Sequence, residues 1–564
     1  MTTSTAQAAL RRHQAPLILG FLYAVHLTVT LLWLQADRPG AVWFADDFVH
    51  LAGFHLLLSA MELEGPTALL AYLTEVNSHY PLVGHYPLAL VAWLIDPPHV
   101  AARLGNSLYF LVLLVSVYHI GRHCQDRRAG LLAAALVSLM PAAYGGMRTV
   151  GLDFPAMCLT APAVLMLLRT EHFSRPRAAA LFGLVAGLAA LVKGQALMFL
   201  AWPAVYALGA GLWQARGDGA ALRRTALAAA AAVGVMALVT AVWWTGRAGH
   251  LVGLVGAHAT GEGMREYEGD ISLLSGVWFF FGALPLAATG LMTVATAALL
   301  PVAMRTLGRG RWVILIWLVL PLLLHMTLKV RNVRYIFPLV PAMAVLLGAG
   351  LSGLRWPRVR AGVAAALGVG AVGLWLACSV VGEDHRSAAL STPLGVVNLP
   401  RKHPEGLAAY CATCGHEFYV FPRRAVDFTD EVSTESSLMA RTLARSHPGG
   451  QGLLLYHTLG TTNLALWLQD RLPASRLILY SDCDWSTSRR PAPASGWSPY
   501  LLFTSGELFE DPDVVYESHI RKTRLDWRRG DGAPSLVHLV LQRRDPTAEP
   551  ELPLFRCEFF PDVE

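Results

Sequence analysis

The sequence predicts an α-helical polytopic membrane protein with a C-terminal water-soluble α/β domain. Three observations carry this. Of 564 residues, 54% are hydrophobic and 15% charged, a balance that soluble globular chains rarely show. Apolar windows near the ~20 residues needed to cross a bilayer recur along the first two thirds of the chain. The charges also divide: residues 1–382 hold 26 Lys+Arg and 15 Asp+Glu, whereas residues 383–564 hold 19 and 24. The basic character therefore belongs to the membrane part and is not the mark of a nucleic-acid binder.

Eleven spans are expected, near 16–34, 101–121, 130–146, 155–169, 179–197, 199–214, 226–245, 276–303, 312–328, 335–354 and 361–381. The greasy run Tyr86–Ile95 is too short and reads as an interfacial helix. With the N-terminus in the cytoplasm, 17 basic residues of the membrane part fall inside and 9 outside, as the positive-inside rule requires. The expected setting is the cell (inner) membrane. Arg11-Arg12 before a full-length span reads as a retained anchor.

An odd number of spans puts residues 383–564 on the extracytoplasmic side. That region holds Cys411, Cys414, Cys483 and Cys557, which allow three disulfide pairings. Cys411-Ala-Thr-Cys414 has no second CxxC to complete a zinc site. Short apolar runs at Gly452–Tyr456, Arg476–Tyr480, Tyr500–Thr504, Val514–Ser518 and Ser535–Gln542 read as strands, and Ser433–Arg445 as a helix.

The polar chemistry collects on the outer face. The first external loop, about residues 35–100, is too long for a plain connection and carries Asp46, Asp47, His79 and His85. Its periodic stretches Phe48–Met61, Thr67–Val76 and Tyr86–Ile95 read as interfacial helices. Arg148 and Asp153 flank the next external turn, and Lys193 lies near a span end, where an ionisable group marks a site by default. Loop 246–275 adds Arg265, and Arg331 and Arg334 crowd a late external turn against the inside trend. A carboxylate able to remove a proton from a hydroxyl, set among cations able to hold phosphate, suits sugar transfer from a lipid phosphate.

Plainer readings stand beside these. Asp46-Asp47 serve equally as capping or solvated acids. Arg148 and Asp153 fit a structural ion pair, Lys193 a snorkelling side chain, Arg331 and Arg334 lipid-headgroup contacts, and His79 and His85 interfacial side chains. No second ligand accompanies either histidine at metal spacing.

Several motifs in order resemble the GT-C membrane glycosyltransferases, in particular the protein O-mannosyltransferase and lipid A aminoarabinose transferase group (glycosyltransferase family 39-like). They are Asp46-Asp47, His79-Tyr-Pro81-Leu82 or His85-Tyr-Pro87-Leu88, Arg103, Gln125-Asp-Arg-Arg128, Arg148…Asp153, Gly187-Leu-Ala-Ala-Leu-Val-Lys193-Gly194 and Arg334-Tyr335-Ile-Phe-Pro338. The resemblance covers about residues 40–340. It implies a polyprenyl-phosphate-linked sugar donor, transfer with inversion at the external face, and Asp46 as catalytic base with Asp47 and Asp153 beside it. Arg103, Arg148, Lys193, Arg265, Arg331, Arg334, His79 and His85 are the expected donor-phosphate or substrate contacts. The acceptor is a hydroxyl on a lipid, glycan or protein, with membrane lipids as surroundings. No cofactor is implied beyond a divalent cation near Asp46, which stays open. Three departures stand out: Tyr80 replaces the Lys of the aminoarabinose transferase's Lys-Pro motif, Tyr-Pro stands where the mannosyltransferase motif has Pro-Pro, and the tail does not look like a β-trefoil. The alternative reading is a transporter or flippase for a lipid-linked or anionic substrate, although no half-to-half repeat is visible.

Overall fold

The computed structural model describes residues 3–36, 50, 54, 57, 61, 65–71, 81–95, 98–244, 273–308, 310–328 and 332–379. It also describes seven strands beyond them. Asp46, Asp47, His79, Arg265, Arg331, Cys411, Cys414 and Cys483 lie outside these residues, as do Ser433–Arg445 and Val514–Ser518. The chain separates into two compact units, residues 1–36 with 106–423, and residues 37–105 with 424–564.

The helices in chain order are α1 (Thr3–Ala36), α2 (Tyr86–Leu94), α3 (Pro98–Cys124), α4 (Arg127–Ser138), α5 (Asp153–Arg169), α6 (Pro176–Val192) and α7 (Ala196–Ala215). They continue as α8 (Gly219–Trp244), α9 (Leu273–Ala288), α10 (Gly290–Thr306), α11 (Arg311–Thr327), α12 (Val340–Gly353) and α13 (Pro357–Ser379). Among the described residues, 6 helices are long and apolar enough to cross a membrane, or up to 8 if each bent pair is one span. The remaining apolar helices are shorter.

Two expected elements are corrected. Residues 130–146, read as one span, form α4 and the helical segment Pro141–Arg148, bent by 65° where Pro141 cannot continue the hydrogen-bond ladder. Residues 276–303, read as a single straight span, form two helices bent by 105° at Thr289. Thr289 has φ +76°, a conformation that ends α9, while its hydroxyl caps α10 by accepting from the Met292 amide at 3.2 Å.

Contacts in the first unit sort the bundle into two ends. At one end Arg127 donates to the Gln14 side chain at 3.3 Å, the Gly308 amide donates to the Cys124 carbonyl at 2.8 Å, and Ser352 lies 3.4 Å from Asp126. Asp126 caps α4 by accepting from the Ala129 amide at 2.7 Å. This is the basic end. The turns carrying Arg148, Asp153, Lys193 and Arg334 lie at the opposite ends of the same helices.

The turn between α5 and α6, at the basic end, holds three consecutive left-handed residues: Glu171, His172 and Phe173, with φ 47°, 60° and 62°. Each such non-glycine residue costs roughly 1–2 kcal/mol. Thr170 stabilises the turn by accepting from the Phe173 amide at 3.0 Å and donating its hydroxyl to the Leu167 carbonyl at 2.7 Å.

Apolar packing is densest around α12, which is buried along nearly its whole length against α4 and α10. α6 and α8 approach through small residues, the device that packs helices where lipid supplies no hydrophobic drive. A side chain at Gly183 would collide with the Ala232 carbonyl.

In the second unit, the buried residues His50, Phe54, Leu57 and Met61 are helical and spaced like one face of a helix. A turn at Leu82–His85 leads into α2, the short apolar helix expected there. The hairpin β1 (Ala389–Thr392) and β2 (Gly395–Asn398) belongs to the first unit. Strands β3 (Gly452–His457), β4 (Arg476–Leu479), β5 (Ser498–Phe503), β6 (Val537–Leu541) and β7 (Phe555–Phe559) form one sheet in the second. Its order is β4-β3-β5-β6-β7, parallel except for the antiparallel β6–β7 edge. Four of these strands coincide with runs read from the sequence.

Replacing Gly183 with Val should force α6 from α8 and lower stability by about 1–3 kcal/mol. A thermal melt of the detergent-purified protein checks this; an unchanged midpoint would refute the close approach.

Candidate functional site

Three charged groups converge because three helical segments break at the same end of the bundle. Asp153 is the first residue of α5, where the helix dipole favours a carboxylate. Lys193 ends α6 in extended conformation, and Gly194 and Gln195 turn the chain into α7. Arg334 lies in the 3₁₀ stretch Val333–Leu339, which Asn332 caps by accepting from the Arg334 amide at 3.2 Å.

The Lys193 Nζ donates to Asp153 Oδ1 at 2.5 Å, and Arg334 Nε stands 3.5 Å from Asp153 Oδ2. The second is an ion-pair contact rather than a hydrogen bond. One carboxylate is thus shared by two cations, an oxygen to each. Asp153 and Lys193 are buried, 7% and 6% exposed. The Tyr335 ring faces both cations, its centre 5.2 Å from Lys193 Nζ and 5.7 Å from the Arg334 guanidinium.

Gln195 and His325 fix the turn from behind. The Gln195 amide nitrogen lies 2.9 Å from His325 Nε2 and 3.2 Å from the Tyr335 carbonyl. An amide NH₂ only donates, so Nε2 accepts and Nδ1 carries the hydrogen that goes to the Pro321 carbonyl at 2.7 Å. The imidazole stacks on Phe199 at 5.1 Å and meets the Phe280 ring edge-on at 5.9 Å.

The other expected residues fall elsewhere. Arg148, buried, donates to the Ser379 hydroxyl at 2.6 Å and lies 5.4 Å from the Tyr144 ring centre. It joins the end of α13 to a nest containing His26 and Trp375, whose rings are 4.8 Å apart. In the second unit, His85 is buried with its ring 5.4 Å from that of His50, and Arg103 is buried on α3. The neighbouring Tyr86 hydroxyl donates to the Leu69 carbonyl at 2.5 Å, and burial raises its pKa.

Tyr335, Gln195 and His325 were not expected as site residues. Tyr335 and Gln195 had local signals, being next to Arg334 and just after Lys193-Gly194. His325 had none, being one histidine in an apolar helix. Among the described residues no three His, Cys, Asp or Glu side chains gather to hold a metal ion. The candidate ion position beside Asp46 lies outside them.

The family model for dolichyl-phosphate-mannose-protein mannosyltransferases matches residues 79–244. An undecaprenyl phosphate-alpha-4-amino-4-deoxy-L-arabinose arabinosyl transferase of Pectobacterium carotovorum is 25% identical over 328 residues, 52% of this chain and 55% of the relative. Its counterpart in Pectobacterium atrosepticum is 25% identical over 303 residues, half of each chain. The chain thus spans about half the length of the curated relatives it matches. Among solved structures, ArnT from Cupriavidus metallidurans bound to undecaprenyl phosphate aligns with TM-score 0.48 and 17% identity, over 80% of this chain and 77% of that one. The archaeal oligosaccharyltransferase AglB from Archaeoglobus fulgidus, with an inhibitory peptide and a dolichol-phosphate, aligns with TM-score 0.46 and 11% identity, over 84% and 65%.

Removing Asp153 strands two cations in a buried place. Asp153→Asn should cost about 3–5 kcal/mol. Adding Lys193→Gln to it should recover part of the loss, because fewer unbalanced charges remain. Melting curves of both variants decide; equal stability of Asp153→Asn and wild type would refute the shared-carboxylate arrangement.

Proposed function

We propose that this chain, a multi-pass membrane protein of the GT-C glycosyltransferase superfamily, moves a sugar from a polyprenyl-phosphate donor to a hydroxyl acceptor. The observation that carries the reading is the pair Lys193 and Arg334, held on one buried carboxylate beside Tyr335 where helices of a membrane bundle break. Basic groups held at a fixed spacing are what a lipid-linked phosphate needs, and similarity to undecaprenyl phosphate-dependent arabinosyl transferases suggests the donor class.

In this mechanism Asp46 takes the proton from the acceptor hydroxyl. The oxygen attacks the anomeric carbon opposite the phosphate, a carbon–oxygen bond forms, and the bond to the phosphate oxygen breaks. Configuration inverts. Asp47 orients Asp46. Lys193 and Arg334 stabilise the charge that grows on the departing polyprenyl phosphate. Asp153 sets the spacing of the two cations, with no proton passing through it. Arg103, Arg265, Arg331, His79 and His85 belong to the proposed substrate-binding set, whereas Arg148, committed to Ser379, is left to a structural role.

The topology is read with the basic end cytoplasmic and the site end extracytoplasmic, eleven crossings between them. The β3–β7 sheet then lies outside as the framework of an α/β domain, since parallel pairs need long crossovers. The membrane is the cell (inner) membrane, and the acceptor is a lipid, glycan or protein hydroxyl on its outer side.

Purified protein given polyprenyl-phosphate sugars and an envelope extract should transfer sugar. Asp46→Asn should lower kcat by about 10²–10⁴ with folding unchanged; a fully active variant would overturn the base assignment. Lys193→Gln and Arg334→Gln should each lower kcat/KM for the donor about tenfold or more, while KM for the acceptor stays constant. An effect confined to acceptor KM would remove both cations from the donor phosphate.

A further inference from the structure

The basic end carries a second feature that the transfer reaction does not use. Pro176 at the start of α6 and Gly219, Ala220, Arg223, Arg224 and Leu227 at the start of α8 line an open cavity of about 510 Å³. Both arginines are exposed. Asp218 already satisfies the first turn of α8, accepting from the amides of Ala220 and Ala221 at 2.9 and 3.1 Å. The nearby acid Glu171 is paired with Arg175 at 2.7 Å. The two guanidinium groups are therefore the anion-seeking part of the cavity.

The surroundings are built rather than loose. The left-handed turn Glu171-His172-Phe173 leads directly into Pro176, and strained backbone of this kind persists where its surroundings over-determine it. A side chain at Gly211 of α7 would collide with the His172 carbonyl and come within 3.1 Å of Thr225 on α8, so three elements lock together beside the cavity. Arg216 lies 3.8 Å over the ring of Trp213, which is 69% exposed, the character of a side chain at a membrane interface. The large exposed hydrophobic residues on α6 and the first turns of α8 are leucines: Leu181, Leu184 and Leu188 on α6, Leu222 and Leu227 on α8.

We propose that this cavity binds the headgroup of an anionic phospholipid from the leaflet at the basic end, its phosphate on Arg223 and Arg224 and its acyl chains along the leucines. Basic residues next to an apolar helix surface match the charge and the two-part chemistry of such a lipid. The site is at the end of the bundle away from Lys193 and Arg334, so it is independent of the donor phosphate.

Full-length protein, delipidated in detergent, is titrated with phosphatidylglycerol and with phosphatidylcholine and followed by native mass spectrometry. Phosphatidylglycerol should bind about tenfold more tightly. The double variant Arg223→Gln/Arg224→Gln should erase that preference, while the charge-matched control Arg358→Gln/Arg360→Gln on α13 should keep it. Soluble glycerol phosphate should not displace the lipid. If the first double variant does not fold, Leu227→Trp fills the cavity with both arginines retained and should also abolish the tight adduct. Equal loss in the control, equal binding of phosphatidylcholine, displacement by glycerol phosphate, or full binding by Leu227→Trp would each overturn the proposal.

Discussion

The sharing of one buried carboxylate between two cations governs the upper part of this bundle. Asp153, Lys193 and Arg334 come from three helical segments far apart in sequence, and none would be tolerable alone in a low-dielectric interior. Together they tie the start of α5, the α6–α7 break and the 3₁₀ stretch before α12 to one another. Removing one partner of such a set costs more than its net worth, because the others stay buried without balance. The geometry of the helix breaks and the electrostatics of the site are therefore one constraint.

Around this centre the structure uses helix ends as functional positions. A continuous helix satisfies its own backbone, so polar chemistry enters a membrane bundle where helices stop. Lys193 ends α6, Asp153 begins α5, and Arg334 lies in a tighter helical stretch that leads into α12. Behind them, Gln195 spends both amide hydrogens on His325 and the Tyr335 carbonyl. The aromatic face offered to the cations is set by a chain of directed bonds rather than by loose packing.

Much of this was legible in the sequence because membrane spans leave few places for charge. Lys193 stood out as an ionisable group near a span end, Arg334 as a cation on the wrong side, and Asp153 as an acid in an external turn. Their mutual pairing was not legible. The pattern suggested Arg148 and Asp153 as partners, yet Arg148 is bonded to Ser379, 231 residues away. The break at Thr289 carries no proline at the bend itself, and the left-handed run Glu171-His172-Phe173 contains no glycine. The first has local signs in Pro285, Gly290 and the Thr289 cap; the second is held by Thr170 and by the close approach of Gly211 to the His172 carbonyl. His325 was invisible: a solitary histidine among leucines carries no local sign of its bonds.

The state of that histidine bears on how the site handles protons. With Nδ1–H given to the Pro321 carbonyl and Nε2 taken by Gln195, the imidazole has neither a free lone pair nor a spare hydrogen. It is a spacer that is polar at both edges and apolar on its faces, wedged between Phe199 and Phe280. The region behind Asp153, Lys193 and Arg334 can hold charge without relaying it, so a proton released beside that cluster has no route into the bundle by way of His325.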